Sequence, residues 1–462
     1  MTQPSMQISG GAGGTEAHYE DLASLARNSD DLAGALAAVT VKCHGILAAP
    51  DVLASAVLDP GGVAAFEKTL LAALDGRHGV TALAGRYGAR AVSLRAAAAA
   101  YQATDAASGA LVDRVRWAAG YFAGEHPVLA AGGLLLAGSV TLGGAFVLDP
   151  VGTASALSDP QRFLTDHPGI LDNVVGASPG LISGLTGLPV GDVGTGAHLL
   201  GALYPDGTPQ VTEDGRDNTA AATNAPAGFG DLMNSLDYRN NKAHGDNDDE
   251  IDVRVVTKPD GTKSYIVDIP GTKDWNNPGQ FNPDSNDLGT NVHVLGGDTT
   301  SREKAIADAL RRSGASSTDP VMLIGHSQGG MVAAQAAADT GNGAFNYNVT
   351  HVVTAGSPIA RADVPGHVQV LSLENSHDLV PHLDARDNPD RPNWTTVRFD
   401  HQLGTAGENH STTTSYLPAA RQLDQSTDPS VVAFRNSAGS FLSTPASGTT
   451  VQADVYHLHR QG

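Results

Sequence analysis

Ser327 lies in Gly325-His326-Ser327-Gln328-Gly329, a Gly-x-Ser-x-Gly run. The apolar Val321-Met322-Leu323-Ile324 precede it and Met331-Val332-Ala333-Ala334 follow it. That order predicts a buried strand, a sharp turn and a small-residue helix. A serine on such a turn has a strained backbone, and the flanking glycines leave it room. Its hydroxyl then stands clear of the sheet as a nucleophile, and the next N–H points to where an oxyanion would form.

A serine nucleophile needs a base, and the base needs an orienting carboxylate. Gln369–Glu374 reads as a strand, and Asn375-Ser376-His377-Asp378 follows it. A carboxylate just beyond a strand end suits the acid, so Asp378 is the first choice, with Glu374, Asp384 and Asp387 as competitors. The histidines after it are His382, His401, His410, His457 and His459. His382 is too near Asp378 to swing back across the site, and His401 ends the strand-like Val397–Asp400. His410 lies in a loop leading to a helix and is preferred as base. Gln328 supplies one oxyanion N–H. Thr272, in the Gly271-Thr272 turn after the strand-like Ser264–Ile269, is expected to supply the second.

These residues must be carried by alternating strands and helices. Ile251–Val256 and Ser264–Ile269 flank Pro259-Asp260-Gly261, a hairpin turn signal. Arg302–Arg312 and Met331–Ala338 read as helices; Val321–Ile324, Val349–Ala355 and Val368–Leu373 read as strands. The fold class is therefore α/β, with a doubly wound, mostly parallel sheet over residues 226–462. Thr15–Ala123 is Ala- and Leu-rich and predicts an all-α module (residues 1–125), a hairpin or small bundle with a long helix from about Val80 to Ala123. Residues 126–225 fall between as an apolar segment followed by a Gly/Pro-rich linker or irregular subdomain.

Within that segment Pro127–Leu148 is 22 uncharged residues long. It has the length of a membrane span, but five glycines dilute it and no Lys or Arg anchors it. A span with membrane contact and a buried or interface-forming segment are equally open. The first 14 residues lack a basic n-region and an apolar h-region, so no secretory signal peptide is expected. Membrane association, export by another route and a cytoplasmic location all stay open.

The 462 residues carry 28 Lys+Arg against 49 Asp+Glu, a net charge of −21. No nucleic-acid partner is expected, because phosphate contacts need a basic face. Only −3 of that charge precedes residue 126. Of the basic residues 21 are Arg and 7 are Lys, which with abundant Ala and Gly points to a high-GC bacterial coding sequence. Cys43, the single cysteine, excludes an internal disulfide and a Cys-based metal site. Asp246-Asn247-Asp248-Asp249-Glu250 has hard oxygen ligands suited to calcium but lacks an EF-hand's spacing, so a solvated loop before a strand is favoured. No metal or organic cofactor is expected.

Taken together, Ile269-Pro270-Gly271-Thr272-x-Asp274-Trp275, Gly325-His326-Ser327-Gln328-Gly329, Thr354-Ala355-Gly356-Ser357-Pro358, Asp378-Leu379-Val380-Pro381 and His410-x5-Tyr416 resemble the α/β-hydrolase superfamily. They are most similar to fungal-type (class three) lipases and uncharacterised actinobacterial relatives, over about residues 226–425. Ile269-Pro270 departs from the Phe-Arg frequent in those lipases, which bears on substrate rather than on the nucleophile. The resemblance implies a serine esterase or lipase acting on a small-molecule or lipid ester through an acyl-enzyme. The alternative is a non-catalytic, secretion-associated or membrane-facing interaction protein on a degenerate hydrolase scaffold. Ala96–Ala100 followed by Tyr101-x-x-x-Asp105 resembles type VII secretion-associated helical proteins, implying an export signal and a helical partner for this module. The Trp-x-Gly hinge of their commonest members is missing.

Overall fold

The structure, a computed structural model, describes residues 5–125, 159–241, 249–443 and 448–462. Pro127–Leu148 lies outside them, as do Asp246 and Asp248 of the acidic run. Contacts divide the chain into two compact units, Glu16–Leu111 and the remainder, Met1–Thr15 with Val112–Gly462.

The Glu16–Leu111 unit is all helix, as the Ala-rich sequence predicts. It is built on α1 (Thr15–Leu47), α2 (Pro50–Leu58), α3 (Pro60–Asp75) and the greater part of α4 (Val80–Glu125). Pro60 starts α3, because a proline at the first helical position lacks only an N–H that would have no partner anyway. Ala26, Leu74, Ala91 and Ala98 are buried, and His44 bonds Asp75 at 2.7 Å. Tyr101 and Asp105 fall on α4, but their side chains lie outside the described residues. Among the described residues no single helix is long and apolar enough to cross a membrane; the bent pair α1–α2 meets the test of length and composition.

The second unit is built on one nine-stranded sheet of order β1-β8-β7-β6-β5-β4-β3-β9-β2. The strands are β1 (Met6–Gly10), β2 (Thr208–Asp217), β3 (Glu250–Thr257), β4 (Lys263–Ile269), β5 (Pro320–His326), β6 (Asn348–Ala355), β7 (Gln369–Asn375), β8 (Trp394–Phe399) and β9 (Thr450–Gln461). The β4 to β8 strands are parallel, and β1, β3, β9 and β2 add antiparallel edges. This is the expected α/β-hydrolase fold with an all-α module. Central strands buried on both faces explain the continuous apolar runs. Alternation sorts them: Val321 and Leu323 join one core, Met322 and Ile324 the other.

Of residues 150–225, read as a linker or an irregular subdomain, the described residues 159–225 are mostly helical rather than loop. They hold α5 (Pro160–Asp166), α6 (Gly169–Thr186), α7 (Val193–Gly201), β2 and the short α8 (Ala220–Thr223). Gly180 of α6 is a helix contact: a Cβ there would meet Trp117 O of α4 at 2.0 Å, and one on Gly120 of α4 would meet Ala177 O of α6 at 1.9 Å. The first residues also differ from expectation, since β1 joins the sheet beside β8.

The remaining helices cover the sheet. On the face of Val321 lie α10 (Leu288–Leu295), α11 (Ser301–Arg312) and α12 (Gln328–Thr340). Facing Met322 are α9 (Phe229–Asn241), α14 (Leu417–Leu423) and α15 (Pro429–Ser437); α13 (Ala406–His410) leads towards α14. Register aligns the strand ends. Ile269 pairs with Gly325, His326 with Ala355, and Ala355 with Leu373. The turns after β4, β5, β6 and β7 therefore open at one carboxyl edge, the place where parallel sheets hold ligands.

Candidate active site

Ser327 is the sharp turn between β5 and α12, with φ 54° and ψ −121°. A non-glycine residue there costs of order 1–3 kcal/mol and persists only when its surroundings enforce it. They do. The Ser327 N–H donates to Ala355 O at 3.0 Å, and its carbonyl accepts from Gly330 and Met331. Three glycines allow the approach. A Cβ on Gly325 would meet Gly329 C at 2.1 Å, one on Gly329 would meet Ile269 O at 2.0 Å, and one on Gly330 would meet Ser357 Oγ at 2.1 Å. The Ser327 hydroxyl faces a cavity of about 420 Å³ that His410 and Thr272 also line. It makes no hydrogen bond among the described residues, His410 included.

Asp378 follows β7 and is fully buried. Its Oδ2 accepts from His410 Nδ1 at 2.7 Å and from Tyr416 Oη at 2.6 Å, and its Oδ1 from Val380 N at 3.0 Å. His410, at the end of α13, is thus joined to the carboxylate chosen for it. The competitors are engaged elsewhere. Glu374 accepts from Asn388 at 2.5 Å and Arg398 at 3.1 Å. Asp384 caps the Ala360 and Arg386 N–H groups, and Asp387 meets Arg398. His382 bonds Asp172 at 2.9 Å. His457 and His459 stack on β9, and His457 lies 3.7 Å from Asp284. The His401 carbonyl accepts from Asn375.

Three contacts around this pair had no separate place in the sequence reading. Tyr416, closing the His410-x5-Tyr416 spacing, keeps its proton, because burial and the neighbouring Asp378 push its phenol up. His326, beside the nucleophile, is buried and packs against the His410 ring, tilted 36° with centroids 4.5 Å apart. Burial, then the charge of His410, holds the His326 imidazole well below its usual range. It therefore stays neutral and donates Nε2–H to His410 O at 2.7 Å, tying the histidine's loop to the elbow.

The third contact is Gly356, where φ is +61°. A Cβ there would lie 2.7 Å from Asp378 Oδ2, 2.8 Å from Tyr416 Oη and 3.0 Å from His410 Nδ1. Only a glycine lets the carboxylate, phenol and imidazole close over this backbone, which gives a reason for the Gly-Ser-Pro run. Gly356→Ala is expected to lower kcat by about 10²-fold or more, the effect of displacing reacting groups by roughly 1 Å. Steady-state kinetics on a nitrophenyl ester check this, and a parental kcat contradicts it.

Gln328 and Thr272, the two residues expected to face an oxyanion, lie on two segments. Gln328 is the first residue of α12, whose early N–H groups have no helical partner. Thr272 follows β4, and the Asn291 amide holds its hydroxyl at 2.9 Å. Asn240 takes the Gly271 N–H at 3.1 Å. Leu288, Val292, Leu295, Met331, Val380 and Leu383 make most of the cavity wall apolar.

The acidic run ends differently from expectation. Asp249 and Glu250 are buried rather than solvated. Asp249 accepts from Ser285 N and Oγ at 2.7 and 2.6 Å, and Glu250 from Arg239 at 2.5 Å. Their partners are distant in sequence, so the run looked like a solvated surface.

Residues 280–407 match the family model described as PGAP1-like alpha/beta domain, which belongs to the α/β-hydrolase superfamily. The match includes Ser327 and Asp378 and stops just before His410. No curated protein matches the chain, and no solved structure does.

Proposed function

We propose that this hydrolase domain is a serine ester hydrolase. The observation that carries the reading is the His410–Asp378 hydrogen bond on the cavity lined by the strained Ser327. With Nδ1–H given to Asp378, the Nε2 lone pair of His410 is the one left for a proton. In the proposed cycle Ser327 Oγ attacks the ester carbonyl as Nε2 takes its proton. The N–H groups of Gln328 and Thr272 receive the developing oxyanion. His410 then protonates the leaving alcohol and an acyl-enzyme remains. Water, deprotonated by the same nitrogen, attacks that acyl group and releases the acid. Asp378 holds the imidazole and stabilises its cation. The apolar wall suits an acyl chain; nothing in this scheme needs a metal or an organic cofactor.

A fluorophosphonate probe tests the reading, since it is captured covalently by an activated serine, and the Ser327→Ala variant assigns the label. The folded protein is expected to label at Ser327, and Ser327→Ala to remain unlabelled. An unlabelled parent, or a labelled variant, rejects it.

A further inference from the structure

The two oxyanion N–H groups of that reading come from segments that are remote in sequence, the turn after β4 and the first turn of α12. One side chain bonds both. Arg302, on α11, is fully buried and outside the cavity lining. Its Nη1 donates to Gln328 Oε1, and its Nη2 to Pro270 O at 3.2 Å. The carbonyl of Pro270 opens the turn that leads to Thr272. Asp249 Oδ1 balances the charge at 3.1 Å.

The bridge is fixed at its Gln328 end and at its charge partner. Gln328 Nε2 donates to Asp287 O at 2.5 Å. The Asp287 carboxylate accepts from Arg460, from Asn276 at 2.8 Å and from Thr290 N at 2.9 Å. Asp249 is held by Ser285. A planar guanidinium can reach two acceptors at a set spacing, which an ammonium does not reproduce.

Stability alone is a poor account of this arrangement. Moving two opposite charges out of water costs several kcal/mol per ion, and well-packed apolar replacements are often as stable. Fixing the distance between two loops is what the fork adds. We propose that Arg302 is a positioning residue that sets the spacing of the two oxyanion donors, Gln328 and Thr272. This rests on the serine-hydrolase reading above.

The test uses the full chain in five forms: parent, Arg302→Met, Arg302→Lys, the Arg302→Met/Gln328→Met double variant and Gln328→Met. The last keeps the backbone N–H of residue 328 and removes only the bridging amide. Each is assayed for kcat and KM on a nitrophenyl ester and for inhibition by an alkylboronic acid, whose tetrahedral adduct occupies the oxyanion position. Thermal melting reports folding.

Arg302→Met is expected to lower kcat by about 10²-fold, the scale of losing one oxyanion donor, with KM within about threefold. Boronate affinity is expected to fall by a similar factor, because only the tetrahedral state feels the donors. Arg302→Lys is expected to recover little. Gln328→Met is expected to lose roughly tenfold, and the Met/Met double variant to be no worse than Arg302→Met, as for groups acting through one bridge.

A folded Arg302→Met with parental kcat and boronate affinity overturns the proposal. If Arg302→Met does not fold, Gln328→Met decides, and its parental behaviour overturns the proposal as well. A parent that neither labels with fluorophosphonate nor turns over ester fails the enzymatic reading itself. A labelled, active parent with unaffected variants fails only the assignment of Arg302.

Discussion

His410→Ala is expected to lower kcat for ester hydrolysis by about 10⁴–10⁶-fold, to the level of Ser327→Ala, with the double variant no lower. The loss should be this large because, among the described residues, no second base stands by. His326 packs its ring against His410 with centroids 4.5 Å apart, but burial keeps it neutral and its Nε2–H is committed to the His410 carbonyl. His382 is bonded to Asp172. Removing the His410 ring leaves its carbonyl in place, so His326 keeps its acceptor and the elbow its tie. A folded variant that has lost its rate, and melts only modestly below the parent because buried Asp378 loses one donor, is therefore the expected pattern. Activity above about one per cent of the parent would contradict the role.

Asp378→Asn is expected to cost up to about 10⁴-fold in kcat, the scale seen when a triad carboxylate becomes an amide and the histidine tautomer is lost. The geometry adds a penalty in stability. Asp378 accepts on both oxygens, from His410 and Tyr416 at Oδ2 and from Val380 N at Oδ1. Asparagine has one oxygen. With its NH₂ towards Oδ2 it faces the His410 N–H and the Tyr416 hydroxyl, and with its NH₂ towards Oδ1 it faces the Val380 N–H. Either way a buried donor loses its acceptor, at a cost of about 1–3 kcal/mol. Kinetics together with a urea denaturation midpoint measure both effects. A kcat within tenfold of the parent would remove Asp378 from the mechanism.

The parts of the fold that were legible in the sequence are those with local causes. The strand, turn and helix around Ser327 follow from four apolar residues, two spaced glycines and small residues after them. The 46-residue α4 follows from an Ala-rich run with little to interrupt it. Asp378 and His410 could be chosen because a carboxylate after a strand and a histidine in a later loop are positional arguments.

What was illegible depends on partners far along the chain. β2 is an edge strand with mostly polar residues, so its alternation is faint. Gly180 of α6 is set by the backbone of α4. Asp249 and Glu250 are an acidic run until Arg302 and Arg239 meet them in the core. Arg302 itself reads as one more charge on an amphipathic helix, and nothing local marks its reach to Pro270 and Gln328. Gly356 shows its purpose only when three side chains close over it.

One edge of the sheet bears on how the molecule is made. Gly10 pairs with Thr395, and the Ser430 hydroxyl donates to Gly10 O and accepts from Gly13 N, both at 2.8 Å. On a ribosome adding about 5–20 residues per second, β1 emerges roughly 20–80 s before the strand it pairs with. During that interval Glu16–Leu111 is complete and free to fold from its own contacts, while the first residues of the other unit wait unpaired. The helical unit is thus a finished insert threaded between an early strand and its late sheet. Closure of that edge is among the last events that translation order permits.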